Sequence, residues 1–168
     1  MAKPPIQTIY KGLEGSWKLR RSLTSKLPGY PSGTFEGTAT FTPSDAFNNS
    51  SYLYHEVGTL VTDQGFHLNA NRKYIYKYSS DEEKLSAWFV KEVGGKDDVD
   101  YLYHELEFGH EQDRWVARGD HLCVNDMYWA FYDFRIEGEA LTKWGLKHQV
   151  KGPDKDYLSD TVYTRTGT

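Results

Sequence analysis

The sequence TFEGTATFT at residues 34–42 decides the fold class of this chain. Phe35, Ala39 and Phe41 alternate with polar residues, which is the period of two expected for a β-strand with one buried face. Similar alternation continues on both sides of this stretch, and clusters of turn residues interrupt it at short intervals. Helical periodicity is confined to residues 4–13, where two prolines favour one helical turn. The chain is therefore predicted to be all-β with a short N-terminal helical turn.

The spacing of the turns predicts the topology. Predicted strands cover residues 16–23, 34–42, 52–61, 66–78, 84–90, 94–98, 101–108, 114–123, 126–136, 141–150 and 157–165. Short turns such as 109–113 place neighbouring strands antiparallel, because a parallel crossover needs a dozen or more residues. We expect a closed antiparallel up-and-down β-barrel of about ten strands, since closure removes exposed edges, with a two-sheet sandwich as the alternative. The barrel is predicted to be a single domain over residues 13–168, preceded by an N-terminal extension, 1–12.

Composition narrows the class of protein. The 13 Tyr, 8 Phe and 5 Trp bring more buriable area than disordered chains contain. A net charge of −4 argues against nucleic acid as a partner. No apolar run approaches the ~20 residues of a membrane span, and the first ten residues lack the apolar core of a signal peptide, so a cytoplasmic location is expected. Cys123 is the sole cysteine, which excludes an internal disulfide and a cysteine-rich zinc site.

Trp17 and Arg165 lie on the first and last predicted strands. These strands become neighbours when a meander closes, and an arginine there can stack on the tryptophan ring. The motif GSW at 15–17 with a late arginine resembles the structural signature of the calycin superfamily, which includes lipocalins and fatty-acid-binding proteins. This resemblance implies that Trp17 and Arg165 close the barrel and do not contact a ligand.

A second resemblance extends over residues 13–165. It is carried by GTFEG at 33–37, YHEVG at 54–58, DHLCVNDMY at 120–128, GPDKDY at 152–157 and YTR at 163–165. In these motifs the chain is similar to domain of unknown function 6314, a calycin-like family. The resemblance supports a barrel and implies no established activity.

The sequence RKYIYKY at 72–78 places Arg72, Tyr74 and Tyr76 on one strand face and two lysines on the other. Lysines prefer water, so the arginine and tyrosine face is predicted to point into the barrel. A buried arginine needs an anionic partner, because an isolated buried charge is costly. Two candidates remain open, namely Glu56 on the neighbouring strand and a ligand carboxylate.

The sequence HLCVNDMY at 121–128 predicts a tight hairpin on which His121, Asp126 and Tyr128 converge. One interpretation is a hydrogen-bonded hairpin with His121 in a polar core, and another is a ligand contact. A third is an acid–base pair in which Asp126 orients His121. A metal site is the weakest interpretation, because a full set of ligands is missing.

The favoured function is binding of a small hydrophobic or amphipathic ligand, which carries a carboxylate if Arg72 is its partner. The predicted ligand-binding residues are Tyr54, Arg72, Tyr74, Tyr76, His121, Tyr128, Trp144 and Tyr163. The alternative is a small cofactor-free enzyme, of the isomerase, cyclase or lyase type, that uses His121 with Asp126 and Tyr128. No cofactor is predicted. Haem is a further alternative, with His104 or His148, otherwise core histidines, as its axial ligand.

Overall fold

The computed structural model describes residues 3–28, 31–123 and 125–166. Over these residues the chain forms one short helix, one isolated turn and eleven strands, in line with the expectation of about ten strands. The helix is α1 (Ile6–Leu13), and α2 (Ala46–Asn49) is a single turn in which Phe47 and Asn48 have left-handed backbone angles. The strands are β1 (Gly15–Ser25), β2 (Gly33–Ser44), β3 (Ser51–Thr62), β4 (His67–Ser79), β5 (Lys84–Val93), β6 (Lys96–Glu105), β7 (Glu107–Glu111), β8 (Arg114–Cys123), β9 (Asp126–Glu137), β10 (Ala140–Lys151) and β11 (Asp156–Arg165).

All strands belong to one antiparallel sheet with the order β6-β5-β4-β3-β2-β1-β11-β10-β9-β8-β7. The two ends of this order, β6 and β7, are consecutive in the chain and are separated by Leu106 alone. Since β6 pairs with β5 and β7 pairs with β8, residues 96–111 connect both edges of a strongly curled sheet. The prediction of an all-β antiparallel barrel is confirmed.

The segment between β5 and β8 differs from the prediction. Leu106 is buried, and its N–H bonds to the carbonyl of Leu85 at 2.9 Å, which breaks the predicted strand 101–108 into β6 and β7. The predicted turn at 109–113 is wrong for its first three residues, which belong to β7. Polar residues on both faces of β7 conceal its alternation, because little of this short strand is buried.

Helix α1 covers one end of the barrel, which we call the base. Ile9, Tyr10 and Leu13 are buried and belong to the same hydrophobic core as the strands, so this part of the N-terminal segment packs as part of the barrel. Trp17 and Arg165 are register partners on β1 and β11. The Arg165 guanidinium lies 3.7 Å from the Trp17 ring centroid and donates to the carbonyls of Gly12 and Glu14. Arg165 thus fastens the end of α1 to the seam between the first and last strands.

The opposite end, which we call the mouth, contains the β1–β2, β3–β4, β5–β6, β8–β9 and β10–β11 turns. Aromatic side chains fill the interior next to the base. Trp144 and Tyr163 stack with their ring centroids 3.6 Å apart, and Phe41 and Phe134 pack against Trp144. The base half of the interior is therefore closely packed, and the mouth half holds the space that remains.

Candidate ligand-binding cavity

A cavity of about 520 Å³ occupies the mouth half of the barrel. Residues of every strand except β7 line it, so the curl of the whole sheet creates the space. This volume is in the range of pockets that bind drug-sized molecules. The cavity is thus the place in the fold where a small molecule can enter the barrel.

The eight predicted ligand-binding residues fall into two groups. Four line the cavity, namely Arg72, Tyr74, His121 and Tyr128. The other four lie in the packed base half, with 2% of Tyr54, 4% of Tyr76, 2% of Trp144 and 1% of Tyr163 exposed. These four do not line the cavity, because other core rings and hydroxyls enclose them.

Strand β4 shows why the prediction divides in this way. Ala70, Arg72 and Tyr74 follow one another along the inward face and line the cavity. Tyr76 is the next inward residue, and its hydroxyl lies 3.0 Å from that of Tyr132 in the base half. The period of two therefore indicates which residues point inward, and the position along the strand decides which of them meet the cavity.

Arg21 and Glu56 form a buried ion pair on the cavity wall. The Arg21 nitrogens lie 2.7 and 2.9 Å from the two Glu56 carboxylate oxygens, and Arg21 also donates to Thr161 Oγ1 at 2.7 Å. The hydroxyl of Tyr54 donates to Glu56 Oε1 at 2.5 Å. Burial acts to raise the pKa of Glu56, but the hydrogen bonds and charge of Arg21 outweigh it, and the pKa is lowered. The charges of Arg21 and Glu56 thus cancel at this position.

Arg72 is left without a partner in the part of the chain that the structure describes. It is the register neighbour of Glu56, yet both carboxylate oxygens of Glu56 receive Arg21. The predicted Arg72–Glu56 ion pair is therefore not formed. Arg72 is exposed and lines the cavity, and the adjacent Tyr74 raises the pKa of the guanidinium. A permanently charged group thus faces the cavity.

The barrel wall beside Arg72 is split, because strands β4 and β5 separate there. The ladder between β4 and β5 runs from the pair Ser79–Lys84 to the pair Tyr74–Phe89 and ends there. Towards the mouth β4 pairs only with β3, and β5 pairs only with β6. Lys73 Nζ lies 3.1 and 3.0 Å from the carboxylate oxygens of Asp97 on β6, so this ion pair connects the two sides of the split. Arg72 therefore lies beside an opening in the barrel wall.

His121 lies on the aromatic wall of the cavity. Its ring centroid is 5.4 Å from that of Phe89, 5.5 Å from Tyr103 and 6.2 Å from Tyr128. No hydrogen bond joins His121 to Asp126 among the described residues, so the predicted acid–base pair is not formed. Asp126 Oδ1 lies against Gly152, where a Cβ would overlap with it, and Asp126 does not line the cavity.

The two other inward histidines occupy different environments. His104 is buried in the base half, and its Nε2 lies 2.8 Å from the Tyr132 hydroxyl. His148 is also buried but lines the cavity, so it is a cavity-lining residue that the sequence interpretation placed in the core. Burial lowers the pKa of each histidine to about 3. Among residues 3–28, 31–123 and 125–166, no three His, Cys, Asp or Glu side chains are grouped to hold a metal ion.

Comparison with known proteins places the chain in a family. The model of a family of unknown function (DUF6314) matches residues 13–165. The chain belongs to this family. The match extends from the end of α1 to the end of β11 and so includes every strand of the barrel. No curated protein sequence matches the chain.

Two solved structures are similar in fold to this member of the family. The S-type phycobiliprotein lyase CPES from Guillardia theta has a TM-score of 0.58 at 11% sequence identity, over 99% of this chain and 95% of that chain. Rv2717c from M. tuberculosis has a TM-score of 0.49 at 13% identity, over 98% of this chain and 100% of that chain. The first likeness supports the barrel fold. No helix in the described part of the chain is long and apolar enough to cross a membrane.

Proposed function

We propose that the protein binds a small amphipathic carboxylic acid in the mouth half of the barrel, with the carboxylate on Arg72. The observation that carries this proposal is the unpartnered guanidinium of Arg72 in a cavity with mostly aromatic walls. Arg72 is exposed to solvent through the cavity, and an anionic ligand that displaces this water supplies the guanidinium with a counter-charge. The planar fork of an arginine also matches the two oxygens of a carboxylate.

The charges around the cavity favour an anion. Arg21 and Glu56 cancel each other, so Arg72 contributes the net charge of the lining. Near the mouth, Lys155 Nζ donates to the hydroxyl of Tyr128 at 2.9 Å and adds a second positive charge close to the cavity. The apolar part of the ligand packs against rings such as Tyr74, Phe89 and Tyr103.

The proposal is tested by displacing the fluorescent probe 1-anilinonaphthalene-8-sulfonate with decanoate and with decan-1-ol. Decanoate is expected to bind roughly 10- to 100-fold more tightly than the alcohol, because a charge-assisted hydrogen bond contributes about 1.5–3 kcal/mol. Arg72→Gln should remove this difference and leave the affinity for the alcohol unchanged.

The matched control is Arg20→Gln. Arg20 lies on the outer face of β1 beside Arg21, is exposed, and pairs with Glu36 at 3.1 Å. This variant should retain the preference for decanoate. A preference for decanoate that survives in Arg72→Gln contradicts the proposed role of Arg72. Failure of both compounds to displace the probe, with no acid seen by native mass spectrometry of the purified protein, contradicts the function itself.

The acid–base enzyme hypothesis has less support than ligand binding, because His121 lacks the predicted contact with Asp126. The cytoplasmic location, the lack of a cofactor and the lack of a nucleic-acid partner stay predictions from the sequence.

A further inference from the structure

His148 is a second polar side chain in the cavity, and binding of a carboxylate by Arg72 leaves it unused. The side chain lines the cavity and is 7% exposed. Its Nε2 is enclosed and has no hydrogen-bond partner among the described residues. No side-chain hydrogen bond to the protein holds the imidazole among the described residues, so the edge of the ring that faces the cavity is free to bond to a ligand. The two sides of the imidazole ring, Nδ1–Cε1 and Cδ2–Nε2, each carry one nitrogen, and a 180° turn about the Cβ–Cγ bond only exchanges them. A ligand beside either side of the His148 ring therefore meets a nitrogen.

The charge state of His148 defines what the imidazole can recognise. Burial lowers its pKa to about 3, and the positive charge of Arg72 lowers it further than burial alone. At neutral pH the ring is therefore uncharged and has one donor nitrogen and one acceptor nitrogen. A hydroxyl both donates and accepts, so it fits the ring in either tautomer, whereas a second carboxylate fits only the donor nitrogen.

The walls of the cavity define the rest of the ligand. Rings predominate over aliphatic side chains, and Tyr74 and Tyr103 stack with centroids 5.4 Å apart. Phe89 lies 4.6 Å from Tyr103 on the same wall. A flat aromatic ring packs on such a wall through offset or edge-to-face contacts, which favour it over a flexible alkyl chain. The cavity thus presents one cation, one neutral imidazole and an aromatic wall.

Building on the proposed function, we infer that the ligand is a hydroxylated aromatic acid whose carboxylate binds Arg72 and whose hydroxyl binds His148. His148 is then the residue that distinguishes hydroxylated from unsubstituted acids. Arg72 supplies affinity for all acids, and His148 supplies the selection among them.

Calorimetric titration with four probes separates these roles. The probes are 3-phenylpropanoate and its 2-, 3- and 4-hydroxyphenyl analogues, which differ only in the position of one hydroxyl. For the wild-type protein, one analogue is expected to bind about tenfold more tightly than 3-phenylpropanoate, the effect of one buried hydrogen bond. His148→Phe should reduce this advantage to less than about twofold and leave the affinity for 3-phenylpropanoate within about threefold, since only the hydrogen bond is removed.

A conservative variant guards against misfolding. His148→Gln retains a donor and an acceptor and should restore part of the selectivity, with thermal unfolding showing that both variants are folded. An advantage that persists in His148→Phe, or the lack of any advantage in the wild type, overturns the inference. If decanoate binds and none of the four probes does, the aromatic class is wrong while the proposed function stands. If no acid binds at all, both fail.

Discussion

The base and mouth halves of the barrel interior both contain aromatic and polar side chains, and they differ in how closely these side chains are packed. In the base half, the hydroxyls of Tyr54 and Tyr163 lie 2.7 Å apart, and the hydroxyl of Tyr132 contacts both Tyr76 and His104. In the mouth half, the exposed guanidinium of Arg72 and the buried side chain of His148 line a cavity of about 520 Å³. Buried nitrogens without a partner among the described residues occur in both halves, Trp144 Nε1 and His104 Nδ1 in the base and His148 Nε2 in the mouth. The two halves therefore differ by the cavity that only the mouth contains.

This difference predicts that the base half mainly determines the stability of the barrel and that the mouth half mainly determines ligand binding. Buried polar groups that bond to one another reduce the cost of burying an aromatic core. The closely packed rings of the base leave no room for a ligand, whereas the cavity in the mouth does. Substitutions in the base should therefore change stability, and substitutions in the mouth should change binding.

The largest expected effect on stability comes from emptying the base. Trp144→Ala removes the ring that stacks on Tyr163, and it should lower the free energy of unfolding by about 3–5 kcal/mol. Tyr101→Ala is the matched change in the mouth, where 54% of the side chain is exposed, and should cost less than about 1 kcal/mol. Urea denaturation of both variants measures the difference. Similar losses in the two variants would remove the distinction between the halves.

A somewhat smaller effect is expected at the boundary between the halves. Glu56→Gln leaves the buried guanidinium of Arg21 without its counter-charge and should cost about 3 kcal/mol at pH 7. Glu36→Gln, in the exposed pair with Arg20, should cost less than about 0.5 kcal/mol and serves as the control. Urea denaturation checks both values, and equal costs would contradict a buried pair.

The pH dependence of the same variant sharpens this test. Because the folded pKa of Glu56 is lowered, its contribution is present above the unfolded pKa, near 4.5, and is lost as the pH falls through the folded value. The stability difference between the wild type and Glu56→Gln should therefore shrink when denaturation is repeated from pH 5 down to pH 3. The buried histidines affect both proteins alike and cancel in this difference. A constant difference over that range contradicts the assigned role of Glu56.

The smallest expected effect concerns the split wall of the mouth. Lys73→Ala removes the ion pair with Asp97 and should change stability by less than about 0.5 kcal/mol. Hydrogen exchange of the amides of residues 90–93 should become faster, because this ion pair connects β4 to the β5–β6 hairpin beyond the end of the β4–β5 ladder. Lys77→Ala lies where the β4–β5 ladder is intact and should leave this exchange unchanged. Equal effects of the two variants would show that the split does not open.

The sequence was sufficient to predict the fold and some of the residues that line the cavity. Alternation along the chain predicted the strands and the inward face of β4, because burial of one face has a period of two. The alternation did not distinguish Tyr74 at the cavity from Tyr76 in the core. Both side chains point inward, and alternation does not indicate how far along the barrel axis an inward residue lies. The sequence also does not show that Arg21, and not Arg72, pairs with Glu56. The two arginines lie on different strands, and only the folded barrel brings both beside the same carboxylate. His148 was assigned to the core because Trp144 and Leu146 precede it on the same face.

The most direct test of the central claim is a crystal structure of the purified protein soaked with decanoate. The carboxylate is expected within hydrogen-bond distance of the Arg72 guanidinium, with the alkyl chain in the mouth half and the Arg21–Glu56 pair intact. Decanoate bound on the outer wall, or a mouth half filled by its own side chains with Arg72 paired to a protein carboxylate, would contradict the claim.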